Sequence, residues 1–263
     1  MIAYLLLASF VCTTWSLQLE KFDKGYVFQG DMIMSKNEID AALNGKDVDN
    51  PTGDVTFGLM NEARKKWPNG VVPYVLADSV KNAALNKVGL KGPAEKVILS
   101  AMKEWEEKTC IRFKPRTDER DYIEFFDGGF GRCNSYVGRI YGKQKISLGY
   151  GCLAHGVALH EIGHALGLHH EQSRPDRDDY VEILWDNILD GTKYNFKKYT
   201  HSLIDSLGSP YDYGSIMHYG KRAYAKLPSQ TTIRPKNSDA SIGQRIKLSE
   251  QDAIQIKKLY GCV

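Results

Sequence analysis

The stretch HEIGHALGLHHEQ, His160 to Gln172, holds four of the chain's seven histidines. His160 and His164 are four residues apart, so in a helix they share one face, one turn apart, where two imidazole nitrogens reach a single metal ion. Glu161 is rotated by about 100° around the same helix, close enough to touch a metal-bound water without ligating. The surrounding HGVALHEIGHALGL is apolar-periodic and free of proline, which predicts a helix that runs to Gly167. That glycine suits a left-handed C-cap, and the sharp turn lets a third ligand swing back from outside the helix. In the longer spacing H-E-x-x-H-x-x-G-x-x-H this third ligand is His170, three residues after the glycine; His169 falls one short and is read as a neighbour. A bare H-E-x-x-H also occurs in proteins that bind no metal, so the glycine and the third histidine narrow the reading.

Three neutral histidines leave zinc its full double charge and an open position, the arrangement of catalytic rather than structural sites. Such a site lowers the pKa of a bound water to about 7 and polarises a carbonyl. Glu161 then takes the water's proton and passes it to a leaving amine, as general base and then general acid. The chemistry expected is amide hydrolysis with one Zn2+ per chain. No G-x-S-x-G occurs, which argues against a serine hydrolase. DGGFGRC lacks the Lys-Ser/Thr sequel of a phosphate cradle and is read as a loop.

The elements that must hold this cluster are also legible. The chain has 263 residues, 25% charged and 42% hydrophobic, enough for one good-sized domain core. A formal charge of +3 and the lack of a dense Lys/Arg tract argue against nucleic acid as a partner. Met1 to Cys12 is apolar, too short to span a bilayer, and reads as the core of a signal peptide over residues 1–16, cleaved after Ser16. No later segment reaches transmembrane length, so the mature chain is expected to be soluble, secreted and extracellular; it is also expected to be a monomer. Residues 17–57 are polar, with eight acidic residues against four lysines. Beyond Trp67, GVVPYVL reads as a strand, Ala94 to Lys108 as an amphipathic helix with Val97, Ala101 and Trp105 on one face, and CIRFKPR, YIEFFD, SYVGRI and KISLGY as short strands. The fold class is α+β: a mostly β half to about residue 150, then a helix and a loop-rich half.

With Cys12 lost in the signal, Cys110, Cys133, Cys152 and Cys262 remain, and in a secreted chain these read as two disulfides with three possible pairings. No C-x-x-C occurs, and no N-x-S/T sequon survives because Asn50 precedes proline.

Over residues 58–263 the chain resembles the astacins, within the metzincin zinc endopeptidases, in a minimal secreted form similar to hatching-enzyme and spider-venom types. The resemblance rests on HEIGHALGLHHEQSRPDRDDYV, on SIMHY (Ser215 to Tyr219), and on WPNGVVPY, CNSYVGR and IGQRIKLSEQD. It implies a twisted, mostly antiparallel sheet plus helices in the N-terminal half, with the zinc cleft between that half and the loop-rich one. It implies that Met217 forms a Met-turn beneath the zinc histidines. Tyr219 would be an additional zinc ligand that swings off to bind the developing oxyanion, and Glu171 would be the partner of a new N-terminus made by activation. It makes Cys133, Asn134, Ser135, Tyr136 and Val137 an exposed edge strand that takes protein or peptide substrates in extended, antiparallel form. It pairs Cys110 with Cys262 and Cys133 with Cys152. Ending one residue after Cys262, the chain is expected to carry no appended module. VFQGD, Val27 to Asp31, matches the family's F-x-G-D propeptide motif, so residues 17–57 are expected to be a propeptide that covers the cleft with Asp31 on the zinc. Cleavage is expected near Gly58, with Asn61 as an alternative. A catalytically dead relative kept for binding is the other reading; the intact Glu161, three histidines and Tyr219 favour the enzyme.

Overall fold

Alternation in YIEFF turns Ile123 and Phe125 to one side of a strand, both fully buried, with Tyr122, Glu124 and Phe126 on the other. That buried side belongs to the main core, which also takes Trp67, Val72, Ile146 and Leu148 and is roofed by two helices. In this computed structural model the described residues are 20–44, 65–81, 94–200 and 205–262. The expected signal peptide and both candidate cleavage points lie outside them.

The strands are β1 (Lys21–Phe22), β2 (Gly25–Phe28), β3 (Met32–Met34), β4 (Val71–Leu76), β5 (Arg112–Pro115), β6 (Tyr122–Phe126), β7 (Cys133–Tyr136) and β8 (Lys143–Leu148). They form one sheet in the order β1-β2-β3-β7-β8-β6-β4-β5. A two-stranded ribbon of β9 (Val181–Ile183) and β10 (Ile233–Pro235) lies in the C-terminal half. The helices are α1 (Lys36–Asn44), α2 (Asp78–Lys81), α3 (Ala94–Lys108), α4 (His155–Leu166) and α5 (Glu250–Tyr260).

The α+β class holds, with one correction. The sheet is mixed, not mostly antiparallel: β4–β5, β4–β6, β6–β8 and β3–β7 are parallel, while β1–β2, β2–β3 and β7–β8 are antiparallel. Between β4 and β5 the chain returns through α2 and α3, the long crossover that a parallel pair requires. Short strands punctuated by glycine do not reveal that direction.

Helix α3 spans the residues expected, but buries Ala94, Ile98, Ala101, Met102 and Trp105, leaving Val97 at the margin. The strand expected in SYVGRI ends at Tyr136, because Gly138 takes φ 69° and the chain turns there. Cys110–Cys262 ties the end of α5 to the start of β5, and Cys133–Cys152 braces β7 against the entry to α4. Among the described residues no helix is long and apolar enough to cross a membrane.

Candidate active site

Helix α4 is apolar on nearly every side, and Ala158, Leu159, Ile162, Ala165 and Leu166 are fully enclosed; a helix of that kind belongs inside a core. Its two histidines are held there by their far nitrogens. His160 Nδ1 bonds the Ile216 carbonyl and His164 Nδ1 the Leu168 carbonyl, each at 2.8 Å. These partners fix each tautomer and leave Nε2 with a free lone pair. Gly167 ends the helix at φ 115°, and its N–H closes onto Gly163 and His164. This turn delivers the Leu168 carbonyl to His164 and His170 to the other two rings. His170 lies 4.8 Å from His164 and 5.4 Å from His160, ring centre to ring centre. His169 faces away, against Tyr199 at 5.1 Å.

The fourth member arrives from the N-terminal segment. Strands β2 and β3 form a hairpin whose tip, Gln29-Gly30-Asp31, enters the cleft. Gln29 and Gly30 both take positive φ, 49° and 89°. Asp31 Oδ2 is 3.1 Å from His160 Nε2, and its Oδ1 is 3.0 Å from His170 Nε2 and 3.5 Å from His164 Nε2. Burial works against a charged carboxyl there, but the imidazoles outweigh it and hold Asp31 well below the usual carboxylate range. Phe28, at the start of the same motif, is fully buried and stacks on Tyr194.

The hairpin also covers β7. Met32 and Ile33 pair in parallel with Ser135 and Tyr136, and Ser135 N donates to the Asp31 carbonyl at 2.9 Å. The strand expected to take substrate, Cys133 to Val137, is therefore paired with β3 at Ser135 and Tyr136 and is not an open edge in this structure.

Beneath α4, the buried Met217 puts its sulfur 2.9 Å from where a Cβ of Gly163 would stand, between the two helix histidines. Tyr219 packs its ring 4.6 Å from that of His170 and donates its hydroxyl to the Gln29 carbonyl. Glu161 is buried with its Oε2 unpartnered. Burial, reinforced by the negative charge of Asp31, raises its pKa well above the usual value. Burial likewise pushes His160 down to about 3, which keeps it neutral and able to ligate. Glu171 is buried too, accepts from Arg174 at 3.1 Å and from the Asp212 N–H at 2.8 Å, and is pushed up to about 7 by desolvation, with Arg174 opposing.

Several residues carry weight that the sequence did not reveal. The charge run after Glu171 has the composition of a solvated loop, yet Arg174 and Arg177 are buried and tie backbone carbonyls of the C-terminal half, at Ser209 and Pro210 and at Gln172 and Phe196. Asp252 accepts from Ser215 Oγ, Ile216 N and Ser249 N, joining the cap of α5 to the turn that carries Met217. Ser249 followed three residues later by Asp252 is a capping-box spacing, the one local signal available. Gln29, the variable residue of the hairpin motif, is almost fully buried.

The donors fit a zinc ion. Asp31 Oδ1, His164 Nε2 and His170 Nε2 are buried without a hydrogen-bond partner, and one ligand atom from each of Asp31, His160, His164 and His170 lies within 4.8 Å of the others. Nitrogen from neutral imidazoles plus one carboxylate oxygen is a zinc ligand set. Fold and site together define an α+β domain with a three-histidine centre suited to zinc.

The family profile Astacin, described as a peptidase family, matches residues 59–261, and the chain belongs to the astacin family of zinc proteases. Zinc metalloproteinase nas-14 of Caenorhabditis elegans is 39% identical over 257 residues, covering 93% of this chain and 49% of its own length. Meprin A subunit beta of Rattus norvegicus is 46% identical over 200 residues, covering 75% of this chain and 26% of the relative. The chain thus spans half or less of these curated relatives. Among solved structures, high choriolytic enzyme 1 of the medaka Oryzias latipes, described as a hatching enzyme zinc-protease, is 40% identical with a TM-score of 0.65, over 75% of this chain and 94% of that one.

Proposed function

We propose that this chain is a secreted zinc endopeptidase made as a latent precursor, with its N-terminal segment in the cleft. The observation that carries the reading is the convergence of three Nε2 atoms around Asp31, two of them from the helix that also carries the buried Glu161 with its Oε2 unpartnered. His160, His164 and His170 would hold a zinc ion, and that ion would supply Lewis-acid polarisation of the scissile carbonyl and acidify water. Glu161 accepts a proton from the attacking water and returns it to the leaving amine. Tyr219, next to His170, donates its hydroxyl to the oxygen that gains charge. Strand β7 offers its backbone to an extended protein or peptide substrate, laid antiparallel once β3 has left.

Latency follows from the same geometry. Asp31 lies among the three imidazoles, where it would exclude water from a bound zinc, and β3 pairs with β7 in the opposite chain direction to that expected of a substrate. We assign residues 1–16 to a signal peptide, 17–57 to the propeptide and 58–263 to the protease domain. Beside Glu171 a small solvent-open pocket, lined in part by His169, Arg174 and Gln255, suits the arrival of a new amino terminus.

The test is casein cleavage by full-length precursor processed between residues 45 and 64, with and without a zinc chelator. Cleavage that the chelator abolishes is expected, and its absence overturns the assignment. Asp31→Ala is expected to make the uncut precursor active, whereas a wild-type precursor as active as the trimmed form overturns latency.

A further inference from the structure

The side chain of Gln29 enters a recess whose chemistry is unusually one-sided. Its Oε1 accepts from Ser173 Oγ at 3.1 Å, His170 Nδ1 at 3.3 Å and Tyr199 OH at 3.4 Å. Its Nε2 donates to the Lys197 carbonyl at 3.2 Å. Three donors face one end and a lone carbonyl faces the other, so the orientation of the amide is fixed by its surroundings. The recess is complementary to a primary carboxamide. A carboxylate would set an oxygen against the Lys197 carbonyl, acceptor against acceptor. An aliphatic side chain would leave the three donors unpaired.

All of these walls belong to the C-terminal half, and only the occupant belongs to the N-terminal hairpin. Tyr199 packs in a cluster with Phe28, Met32 and Met34, all from that hairpin and its strands. When the hairpin departs, the recess loses its occupant, while Ser173, His170, Lys197 and Tyr199 stay with the C-terminal half. The same residue also gives its backbone carbonyl to the Tyr219 hydroxyl. Resting on the proposed role of Tyr219, the recess therefore lies beside the carbonyl that reacts.

We propose that this recess is a substrate subsite selective for a carboxamide side chain: filled by the chain's own Gln29 in the precursor, and open to a substrate glutamine after activation. Glutamine fits better than asparagine because Gln29 reaches the Lys197 carbonyl with its full length. In the precursor the same contacts hold His170 through Nδ1, so Gln29 is a positioning residue for a zinc ligand as well as an anchor for the hairpin.

Two measurements test this, and the second does not depend on peptide cleavage. In the first, precursor activated by cutting within residues 45–64 digests a mixed peptide library, and the products are read by mass spectrometry. Glutamine is expected to exceed leucine and glutamate by about tenfold at one position within two residues of the cut. In Ser173→Ala and Tyr199→Phe enzymes that ratio is expected to fall to about twofold; it is internal to each digest and independent of overall rate. No preference for glutamine in the wild type overturns the subsite. In the second, a chelator withdraws zinc from the intact, uncut precursor. Gln29→Leu and Gln29→Glu are expected to lose zinc about tenfold faster than wild type, with Gln29→Asn between them. Equal rates in all four overturn the assignment of the recess. A library left uncut with the zinc-loss order intact counts against the peptidase reading and supports the carboxamide recess.

Discussion

A Cβ placed on Gly30 would lie 1.7 Å from the phenolic oxygen of Tyr224 and 3.7 Å from that of Tyr219. The glycine of the hairpin motif is thus fixed twice, by a φ of 89° that side chains rarely adopt and by a tyrosine that leaves no room. Gly30→Ala is expected to push the tip out of the cleft and withdraw Asp31 from the histidines. The uncut precursor should then gain activity, and adding Tyr224→Phe should restore part of the latency by removing the oxygen while the backbone strain remains. Activity of the single and double variants before any cut measures this; a Gly30→Ala precursor as silent as wild type would refute it.

His169 and His170 are adjacent, yet their rings serve different neighbours: Asp31 for one, Tyr199 for the other. His170→Ala is expected to lose zinc, while His169→Ala keeps it near one ion per chain. Metal content of the purified precursors, read by elemental analysis, decides between them. Equal loss in both would overturn the register.

Asp252 sits 2.6 Å from Ser215 Oγ and 2.9 Å from both Ile216 N and Ser249 N. Ile216 in turn gives its carbonyl to His160, so the carboxylate acts on a zinc ligand through one backbone unit. Asp252→Ala removes the N3 half of a capping box and strands three donors, which should cost about 3 kcal/mol of stability. Zinc affinity should fall by about tenfold, as it does when a ligand's orienting partner is disturbed. Denaturant unfolding and chelator competition check the two effects. A stable variant with unchanged zinc affinity would show that the turn holds itself.

The metal cluster was legible because its logic is local: four-residue spacing, a glycine turn and a third histidine all lie within eleven residues, His160 to His170. Asp31 lies 129 residues from His160, and only the resemblance of VFQGD to a family motif linked them. Strand positions followed from alternation and turn residues, whereas strand direction did not, because crossovers are set by packing and not by composition. Arg174, Arg177 and Asp252 stayed hidden for the converse reason. A charged residue reads as exposed until the fold supplies buried carbonyls and N–H groups at the right distance. Gln29 was hidden because a variable motif position gives no signal of its own.

Helix α1 of the N-terminal segment opens with a capping box: Ser35 N donates to Glu38 at 2.8 Å, and Glu38 N to Ser35 Oγ at 3.3 Å. Glu38 also pairs with Lys65, just beyond the segment proposed to be cut. This ion pair therefore spans the cleavage region and should keep the severed helix docked for a time. Burial alone would raise the pKa of Glu38, but the Lys65 charge and the hydrogen bonds win and lower it below its ordinary value of 4.5. A lowered acid pKa contributes stability that is present above about pH 4.5 and is lost as pH falls through the lower, folded-state value. After the cut, release of the N-terminal fragment is expected to speed up as pH drops below that value. Glu38→Gln should release faster at neutral pH and show a weaker acid dependence, with other acid-labile contacts supplying what remains. Fragment dissociation from cleaved precursor, followed by size-exclusion chromatography between pH 3 and pH 7, measures both (a range of about four units that brackets the transition). Wild-type and Glu38→Gln profiles that superimpose across it would rule out this ion pair as the post-cleavage tether.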